Sequence, residues 1–352
     1  MKKLLYAALL LGAAMQFTAC ESDKSPAKPK QRYDLTQGML IANEGSWGYN
    51  NASISLYYTN GDSLTNDVYN KVNKEVLGDV LQSIAISDTT AYLVVNSSNK
   101  IVAVSKYSCK KYGTIVVSGP RYMVADNQTG YVTAWTNNEV AVLDLATNKV
   151  TGSIAVGKGP EGIILNNGKL FVANSGGYDK DNTVSVIDIK TKTVVKTIQV
   201  VDCPKTFVAD KNGNIWVVCA GYTDYKNPAN STNGALCKIN PSNYEVSKVT
   251  LTGVNPDKLQ ADLSKENLYY SGSYSGAGIY KMSISGTSEP KTPFINGSFY
   301  SFNINPHNGE IVAMIVDWKV EANNKMVRYS NTGSKIKEYT VGVGPNGGYF
   351  FN

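Results

Sequence analysis

Apolar and polar residues alternate in short runs along most of the chain. In Thr183–Ile189, for example, apolar Val184 and Val186 lie on either side of polar Ser185, and alternation with a period of two is typical of half-buried β-strands. Glycine, asparagine and proline separate the runs, as expected of tight turns, and no sustained helical periodicity is present. The pattern predicts an all-β protein.

The apolar runs are grouped in repeats along the sequence. Clear copies start at Gly119, Gly159, Cys203 and Asn255, and weaker copies start near Val80 and Phe299. Each copy contains two hairpins and therefore four short antiparallel strands, which we name a to d in chain order. A repeat of about 40 to 50 residues is typical of a propeller blade, a small sheet whose faces are buried only between neighbouring blades.

The two ends of the repeat region predict how the ring closes. Residues 38–72 supply strands b, c and d without a strand a, whereas Gly344–Phe351 repeats the opening of a blade and then stops. Together they make a seventh blade, and closure removes the exposed sheet edges of an open array. We therefore predict, for residues 35–352, a seven-bladed β-propeller of four-stranded antiparallel blades. Its C-terminal strand joins the N-terminal blade.

Residues 1–19 have the pattern of a lipoprotein signal peptide. Two lysines precede the apolar run Leu4–Leu11, which is too short to span a bilayer. Phe17–Cys20 resembles the lipobox of bacterial lipoproteins, in which cleavage precedes a lipidated cysteine, here Cys20. Residues 20–34 are polar and contain prolines, so they are expected to form a flexible tether.

The lipobox resemblance also implies a location. Glu21, rather than an aspartate, follows the cysteine, which argues against retention in the inner membrane of a Gram-negative cell. We expect an outer-membrane protein that is held by its lipid alone and exposed at the cell surface. A plain secretory signal with an incidental cysteine is the alternative.

Charge and cysteine content narrow the possible functions. Removal of residues 1–19 takes away two lysines and no acid, so the formal charge falls from +6 to +4. No basic run lies beyond the tether, which excludes nucleic acid as the expected partner.

Four cysteines remain, Cys109, Cys203, Cys219 and Cys237. Either Cys219 and Cys237 form a disulfide, or the four are buried free thiols.

Blade topology separates the connections between strands into two faces. The b–c loops and d–a turns emerge on one face, which we call the top face, and the a–b and c–d turns emerge on the bottom face. Four b–c loops exceed hairpin length, and lengthened loops on one face of a repeat array usually mark the binding face. The aromatic residues of these loops are Trp47, Tyr49, Trp135, Tyr178, Tyr222, Tyr225, Tyr274 and Trp318.

A second set of top-face residues follows the proline, or its equivalent, that begins each repeat. This position holds Gln82, Arg121, Glu161, Lys205, Asp257, Tyr300 and Asn346. Because strand a is innermost, these side chains should ring the central mouth. The predicted ligand-binding residues are Arg121, Glu161, Lys205 and Tyr300 together with the eight loop aromatics. They suit a large, mostly uncharged ligand.

Candidate chemistry beyond binding is sparse. The one histidine, His307, lies in the turn Asn305–Gly309, so histidine-based metal sites and a Ser-His-Asp triad are unavailable, and we predict no catalytic residue, metal or cofactor. Three alternatives stay open. They are calcium at Tyr178–Asn182, an acid–base pair of Glu161 and Asp257, and an anion site of Arg121 and Lys205. Pairing of Arg121 and Lys205 with Glu161 and Asp257 is the alternative to the anion site.

The repeat and the chain as a whole resemble known proteins. VANS followed by NTVSVIDIKTKTVVKTIQV (172–200) is similar to the YVTN-type repeat of seven-bladed propellers. With its lipobox, acidic and serine-rich tether start, seven repeats and aromatic loops, the chain resembles the BtuG-type surface lipoproteins. The resemblance implies a non-enzymatic protein that captures cobalamin or a related corrinoid and passes it to a TonB-dependent outer-membrane transporter. A propeller hydrolase or lyase and a protein-docking scaffold are the alternatives.

Overall fold

The computed structural model describes residues 33–272, 278–319 and 323–351, which contain short β-strands and very little helix. In chain order the strands are β1 Gly38–Asn43, β2 Ser53–Tyr58, β3 Ser63–Thr65, β4 Leu81–Ser87, β5 Thr90–Val95, β6 Lys100–Ser105, β7 Lys111–Val116, β8 Pro120–Asp126, β9 Thr129–Ala134, β10 Glu139–Asp144, β11 Lys149–Ala155, β12 Pro160–Asn166, β13 Lys169–Asn174, β14 Thr183–Asp188, β15 Thr193–Gln199, β16 Pro204–Ala209, β17 Ile215–Cys219, β18 Gly234–Ile239, β19 Val246–Leu251, β20 Pro256–Ala261, β21 Asn267–Gly272, β22 Ile279–Ser283, β23 Ser301–Ile304, β24 Ile311–Ile315, β25 Lys325–Tyr329, β26 Lys335–Thr340 and β27 Pro345–Phe350. The predicted signal peptide, most of the tether and Cys20 lie outside the described residues.

These strands form seven antiparallel sheets, one for each predicted blade. Blade 1 has the order β27-β1-β2-β3, and blades 2, 3, 4, 5 and 7 each use four consecutive strands. β27 pairs with β1 from Met39 opposite Phe350 to Asn43 opposite Pro345. The seven-bladed all-β fold and its closure by the C-terminal strand are therefore confirmed.

Blade 6 departs from the four-strand pattern in its described part. It contains β20, β21 and β22, and the fourth strand is replaced by a single bridge between Ile279 and Ile295. The segment after β22 contains Pro290 and Pro293, and proline cannot donate a backbone hydrogen bond to a sheet. These prolines explain why no regular outer strand forms there.

The little helix present lies before β1 or in connections between strands. α1, Val68–Asn73, lies in the link from blade 1 to blade 2, and single 3₁₀ turns cover Leu35–Gln37 and Pro228–Asn230. In the described ranges no helix has the length and apolarity needed to cross a membrane.

The hydrophobic core lies between neighbouring blades. On β9, Tyr131 packs with the β13 residues Leu170 and Val172, whereas the next residue, Val132, packs with Tyr92 and Val94 of β5. Successive side chains of a strand point to opposite faces. An inner strand packs against a neighbouring blade on each face, so it needs apolar residues at odd and even positions alike. This requirement produces the runs of apolar residues in the sequence.

The four cysteines that the structure describes are buried free thiols. The Cys219 and Cys237 sulfurs lie 3.9 Å apart, in contact but not bonded. Burial raises the pKa of the Cys109 thiol to about 12. Of the two alternatives left open by the sequence, the structure has the free thiols.

Arg328 of β25 joins blade 7 to blade 1 at the outer side of the closing seam. Its guanidinium donates to both Glu310 oxygens, with the shortest distance 2.8 Å, to the Tyr57 hydroxyl at 2.7 Å and to Asp62 at 3.1 Å. We expect Arg328→Met to lower the free energy of unfolding by about 2 to 3 kcal/mol, because several hydrogen bonds to charged groups are lost. Urea denaturation followed by tryptophan fluorescence measures the change.

The control for this prediction is Lys335→Met. Lys335 pairs with Glu338 within the same strand and is 54% exposed, so its loss should change stability by less than about 0.5 kcal/mol. Equal effects of the two substitutions would contradict a special role for the seam contact.

Candidate functional site

An axial channel runs through the ring, lined by the innermost strand of every blade. Its volume is about 200 Å³. The seven strands contribute Ser83, Tyr122, Gly162, Thr206, Lys258, Ser301 and Gly347, among others. The b–c loops and d–a turns surround the top mouth of this channel, as the topology predicts.

A first hollow on the top face, which we call the Trp135 hollow, has a volume of about 460 Å³. It is lined by Trp47, Trp135 and Tyr178 and by asparagines of the b–c loops. The rings of Trp135 and Tyr178 meet edge to face with their centroids 5.7 Å apart. The indole nitrogen of Trp135 is buried and has no hydrogen-bond partner among the described residues. Because this nitrogen is buried, it is not exposed to the hollow, and such an unpaired buried donor is rare in folded proteins.

A second hollow, which we call the Glu44 hollow, has a volume of about 670 Å³ and is lined by Glu44, Trp47, Tyr49 and Trp318, among others. Since Trp47 lines both hollows, the two are adjacent. The Trp318 ring meets the Tyr300 ring at right angles, with 5.7 Å between centroids. Gly344, at φ +65°, lets Trp318 approach the backbone, because a Cβ there would lie 2.7 Å from the indole.

Several top-face aromatics are far more exposed than is usual for large apolar side chains. Trp47 is 80% exposed and Tyr49 is 76% exposed, while Tyr178 and Tyr225 are essentially bare. Single exposed aromatics need no explanation, but a group on one face of a monomer indicates an interaction site. Part of the predicted set therefore lies together on one continuous surface, formed by Trp47, Tyr49, Trp135, Tyr178 and Trp318.

The other predicted residues lie elsewhere. Tyr222 is covered by the Lys180 ammonium, 4.8 Å from its ring centroid, and Tyr225 belongs to the same long loop between β17 and β18. Neither residue lines a hollow, and neither does Lys205. Tyr274 lies outside the described residues.

The loop asparagines have a structural role that the sequence did not suggest. The side-chain oxygen of Asn99 accepts from the Gly119 amide at 2.8 Å, and that of Asn138 accepts from the Gly159 amide at 2.8 Å. Each bond ties a b–c loop to the turn that enters the next blade. These bonds hold the two loops against the neighbouring blades.

Arg121 and Glu161 form a buried ion pair beside the mouth. The guanidinium donates to both carboxylate oxygens, at 3.1 and 2.6 Å, and its central carbon, Cζ, lies 4.1 Å from the centre of the Trp135 ring. Burial acts to lower the pKa of Arg121, but the Glu161 charge and hydrogen bonds outweigh it and the pKa is raised. The ion pair holds the Arg121 guanidinium in the position in which it packs against the Trp135 ring.

The charges of the mouth are largely compensated within the ring. Asp257 pairs with its neighbour Lys258 at 3.4 Å. Burial acts to raise the pKa of Asp257, but Lys258 and Lys205 outweigh it and the pKa is lowered. Glu161 and Asp257 thus each hold a cation, an arrangement that does not favour an acid–base pair, and Arg121 is committed to Glu161 rather than grouped with Lys205.

Glu44 is a site residue that the residue-by-residue prediction missed. Its carboxylate accepts from Asn346 Nδ2 at 2.9 Å and from the Tyr300 hydroxyl at 3.1 Å. Burial raises its pKa, although the bonds from Asn346 and Tyr300 oppose the shift. A signal was present in the sequence, because the residues equivalent to Glu44 at the other six b–c loops are all uncharged. They are Asn96, Trp135, Ser175, Ala220, Ser273 and Val316.

His307 lies on the bottom face, as predicted for its turn. Its backbone amide donates to Asn305, and its Nε2 is 3.0 Å from the Phe351 carbonyl oxygen. Near the suggested calcium loop, Asp179 pairs with Lys158 at 3.4 Å. Within the described ranges, no group of three or more His, Cys, Asp or Glu side chains is arranged to hold a metal ion.

The fold and the top face define a seven-bladed propeller with one aromatic, loop-rich end. The chain belongs to the family described as domain of unknown function DUF5074, which matches residues 37–352. No curated protein matches the sequence.

Solved structures of other propellers share the architecture. A candidate 6-phosphogluconolactonase from Bacteroides fragilis is 11% identical, with a TM-score of 0.68 over 90% of this chain and 98% of that chain. A second candidate 6-phosphogluconolactonase, from Bacteroides uniformis, is 11% identical, with a TM-score of 0.66 over 89% and 98%. Hydrazine synthase of Kuenenia stuttgartiensis is 14% identical, with a TM-score of 0.58 over 75% and 87%. At these identities the likeness concerns the fold alone.

We expect Arg121→Met to lower the free energy of unfolding by about 3 to 5 kcal/mol, because the Glu161 carboxylate would stay buried without its partner. The double variant Arg121→Met/Glu161→Leu should regain most of that loss, since no buried charge remains unpaired. Urea denaturation of both variants and the wild type measures the difference. A double variant no more stable than the single one would contradict the assignment of the pair to structure.

Proposed function

We propose that this protein captures cobalamin or a related corrinoid on its top face and passes it to a TonB-dependent outer-membrane transporter. The observation that carries the proposal is the aromatic surface around Trp47, which joins two preformed hollows of about 460 and 670 Å³. Ligand pockets of about 300 to 1,000 Å³ hold drug-sized molecules. Two adjacent hollows of this size suit a ligand that is larger and broad.

The chemistry of the surface suits a corrinoid. Cobalamin is a broad, nearly neutral disc fringed by amides, so its faces need apolar cover and its rim needs hydrogen bonds. Tryptophan and tyrosine supply both from the same side chain.

Rigidity supports capture with slow release. The loops are held by the Asn99 and Asn138 bonds and by the Gly48 amide, which donates to Asp79 at 2.8 Å. A preorganised site avoids the cost of ordering loops on binding, and tighter binding among related complexes arises mainly from slower dissociation. The one histidine is at the opposite end, so the cobalt should keep the nucleotide base of the ligand rather than take an imidazole from the protein.

The charged residues at the mouth of the channel favour an enzymatic function less than they favour binding. Glu161 and Asp257, the carboxylates placed for acid–base chemistry, are ion-paired with Arg121 and Lys258. A docking scaffold would use the same aromatics against a protein, and it would bind no small ligand. Turnover of a substrate that is lost in Glu161→Gln would move the assignment to an enzyme.

Isothermal titration with cyanocobalamin tests the proposal. The wild type should release or absorb heat and gain thermal stability. Trp47→Ala, Tyr178→Ala and Trp318→Ala should each weaken binding, the strongest by about 2 kcal/mol or more, because large buried aromatics carry most of the energy of an interface. Tyr222→Ala tests whether the neighbouring loop also contributes.

Tyr107→Ala is the matched control. Tyr107 is 45% exposed in a c–d turn on the bottom face, so its removal should leave affinity unchanged. Absence of both heat and thermal shift with millimolar cyanocobalamin would rule out corrinoid capture.

Lipid attachment at Cys20 completes the proposed arrangement, because the tether lets the top face meet a membrane transporter. In cells fed a labelled fatty acid, the wild type should incorporate label and sediment with membranes. Cys20→Ser should remain unlabelled and appear in the soluble fraction, because the thiol that carries the lipid is gone. Labelling of the Cys20→Ser protein would contradict the lipobox assignment.

A further inference from the structure

Glu44 is the one charged side chain among the described residues that line the two hollows. The Trp135 hollow is lined by aromatic residues, glycines, asparagines, serine and threonine, and the Glu44 hollow adds a single carboxylate to Trp47, Tyr49 and Trp318. A charge placed in otherwise neutral, aromatic walls has a large effect on which ligand groups can enter.

The carboxylate keeps acceptor capacity after its contacts within the protein are counted. An ionised carboxylate has about four acceptor directions. Asn346 uses one on Oε1, and the single Tyr300 hydroxyl lies 3.1 Å from each oxygen, so it can supply one hydrogen to the two. At least one acceptor position on Oε2 is left for a donor from the hollow.

No cation neutralises Glu44 directly. Its hydrogen-bond donors, Tyr300 and Asn346, are neutral, and no ion pair to it occurs among the described residues. The cations that act on it electrostatically are Lys258 and Arg121, and these pair with Asp257 and Glu161. When Glu44 is ionised, the Glu44 hollow therefore presents net negative charge.

We propose that the Glu44 hollow is a subsite for N–H donors, in which Glu44 accepts a hydrogen bond from a primary amide of the ligand and excludes carboxylates. The inference rests on the proposed function, in which the ligand is a corrinoid whose rim carries amides. A hydrogen bond to a charged acceptor contributes about 1.5 to 3 kcal/mol. A ligand carboxylate at the same place would lose that bond and meet a like charge, and such repulsion gives specificity.

The test compares cyanocobalamin with its monocarboxylic acid derivatives, in which one rim amide is hydrolysed, with each isomer titrated separately at pH 7.5. The wild type should bind at least one isomer tenfold or more weakly than cyanocobalamin. In Glu44→Gln the gap for that isomer should shrink to about threefold or less, because a neutral amide can donate to a carboxylate as well as accept from an amide.

Glu139→Gln is the control for long-range electrostatics. Glu139 begins β10 at the top end of its blade but lines neither hollow, so this variant should keep the full discrimination. A thermal melt shows whether Glu44→Gln is folded, and the comparison of ligands in the wild type requires no variant at all.

Two results would overturn the inference while leaving corrinoid capture intact. One is a wild type that binds every isomer as tightly as cyanocobalamin, and the other is a folded Glu44→Gln that keeps the full gap. A wild type that binds neither cyanocobalamin nor any isomer would remove the proposed function and this inference together.

Discussion

The pairing of β27 with β1 is the constraint on which the rest of the structure depends. A blade can bury its faces only against two neighbours, so the core between blades 1 and 2 and that between blades 7 and 1 both require the ring to be complete. The same pairing carries Asn346 to the mouth, where its side chain donates to the backbone of β4 and to Glu44. The strand pair that closes the ring therefore also places Asn346 beside Glu44 in the site.

Much of the fold could be predicted because each of the seven blades requires the same pattern of apolar residues and turn residues. Inner strands need apolar residues on both faces, turns need glycine or asparagine, and these demands recur at a fixed spacing. The turn residue His307 and the incomplete blade at each terminus followed from this logic. Blade 6 did not, because the effect of Pro290 and Pro293 depends on which strand they would have to pair with.

The site was predicted less completely than the fold. Topology indicated which residues share the top face, and Trp47, Trp135, Tyr178 and Trp318 do line adjacent hollows. The spacing of residues along the sequence could not show which side chains would contact each other. Pairing of Arg121 with an acid of the ring was one of the alternatives left open by the sequence, whereas the bond from Asn138 to the next blade and the burial of Glu44 depend on contacts between different repeats. Such contacts have no local sequence pattern.

The long separation of β1 and β27 in the sequence affects how the ring forms. Synthesis proceeds from the N-terminus, so β1 leaves the ribosome long before β27 exists, and its inner edge must wait unpaired for about 300 residues. The ring therefore cannot close until β27 has been made. Until then the chain remains an open array, and a chain that lacked β27 would keep unpaired strand edges at which other chains could add, which favours aggregation.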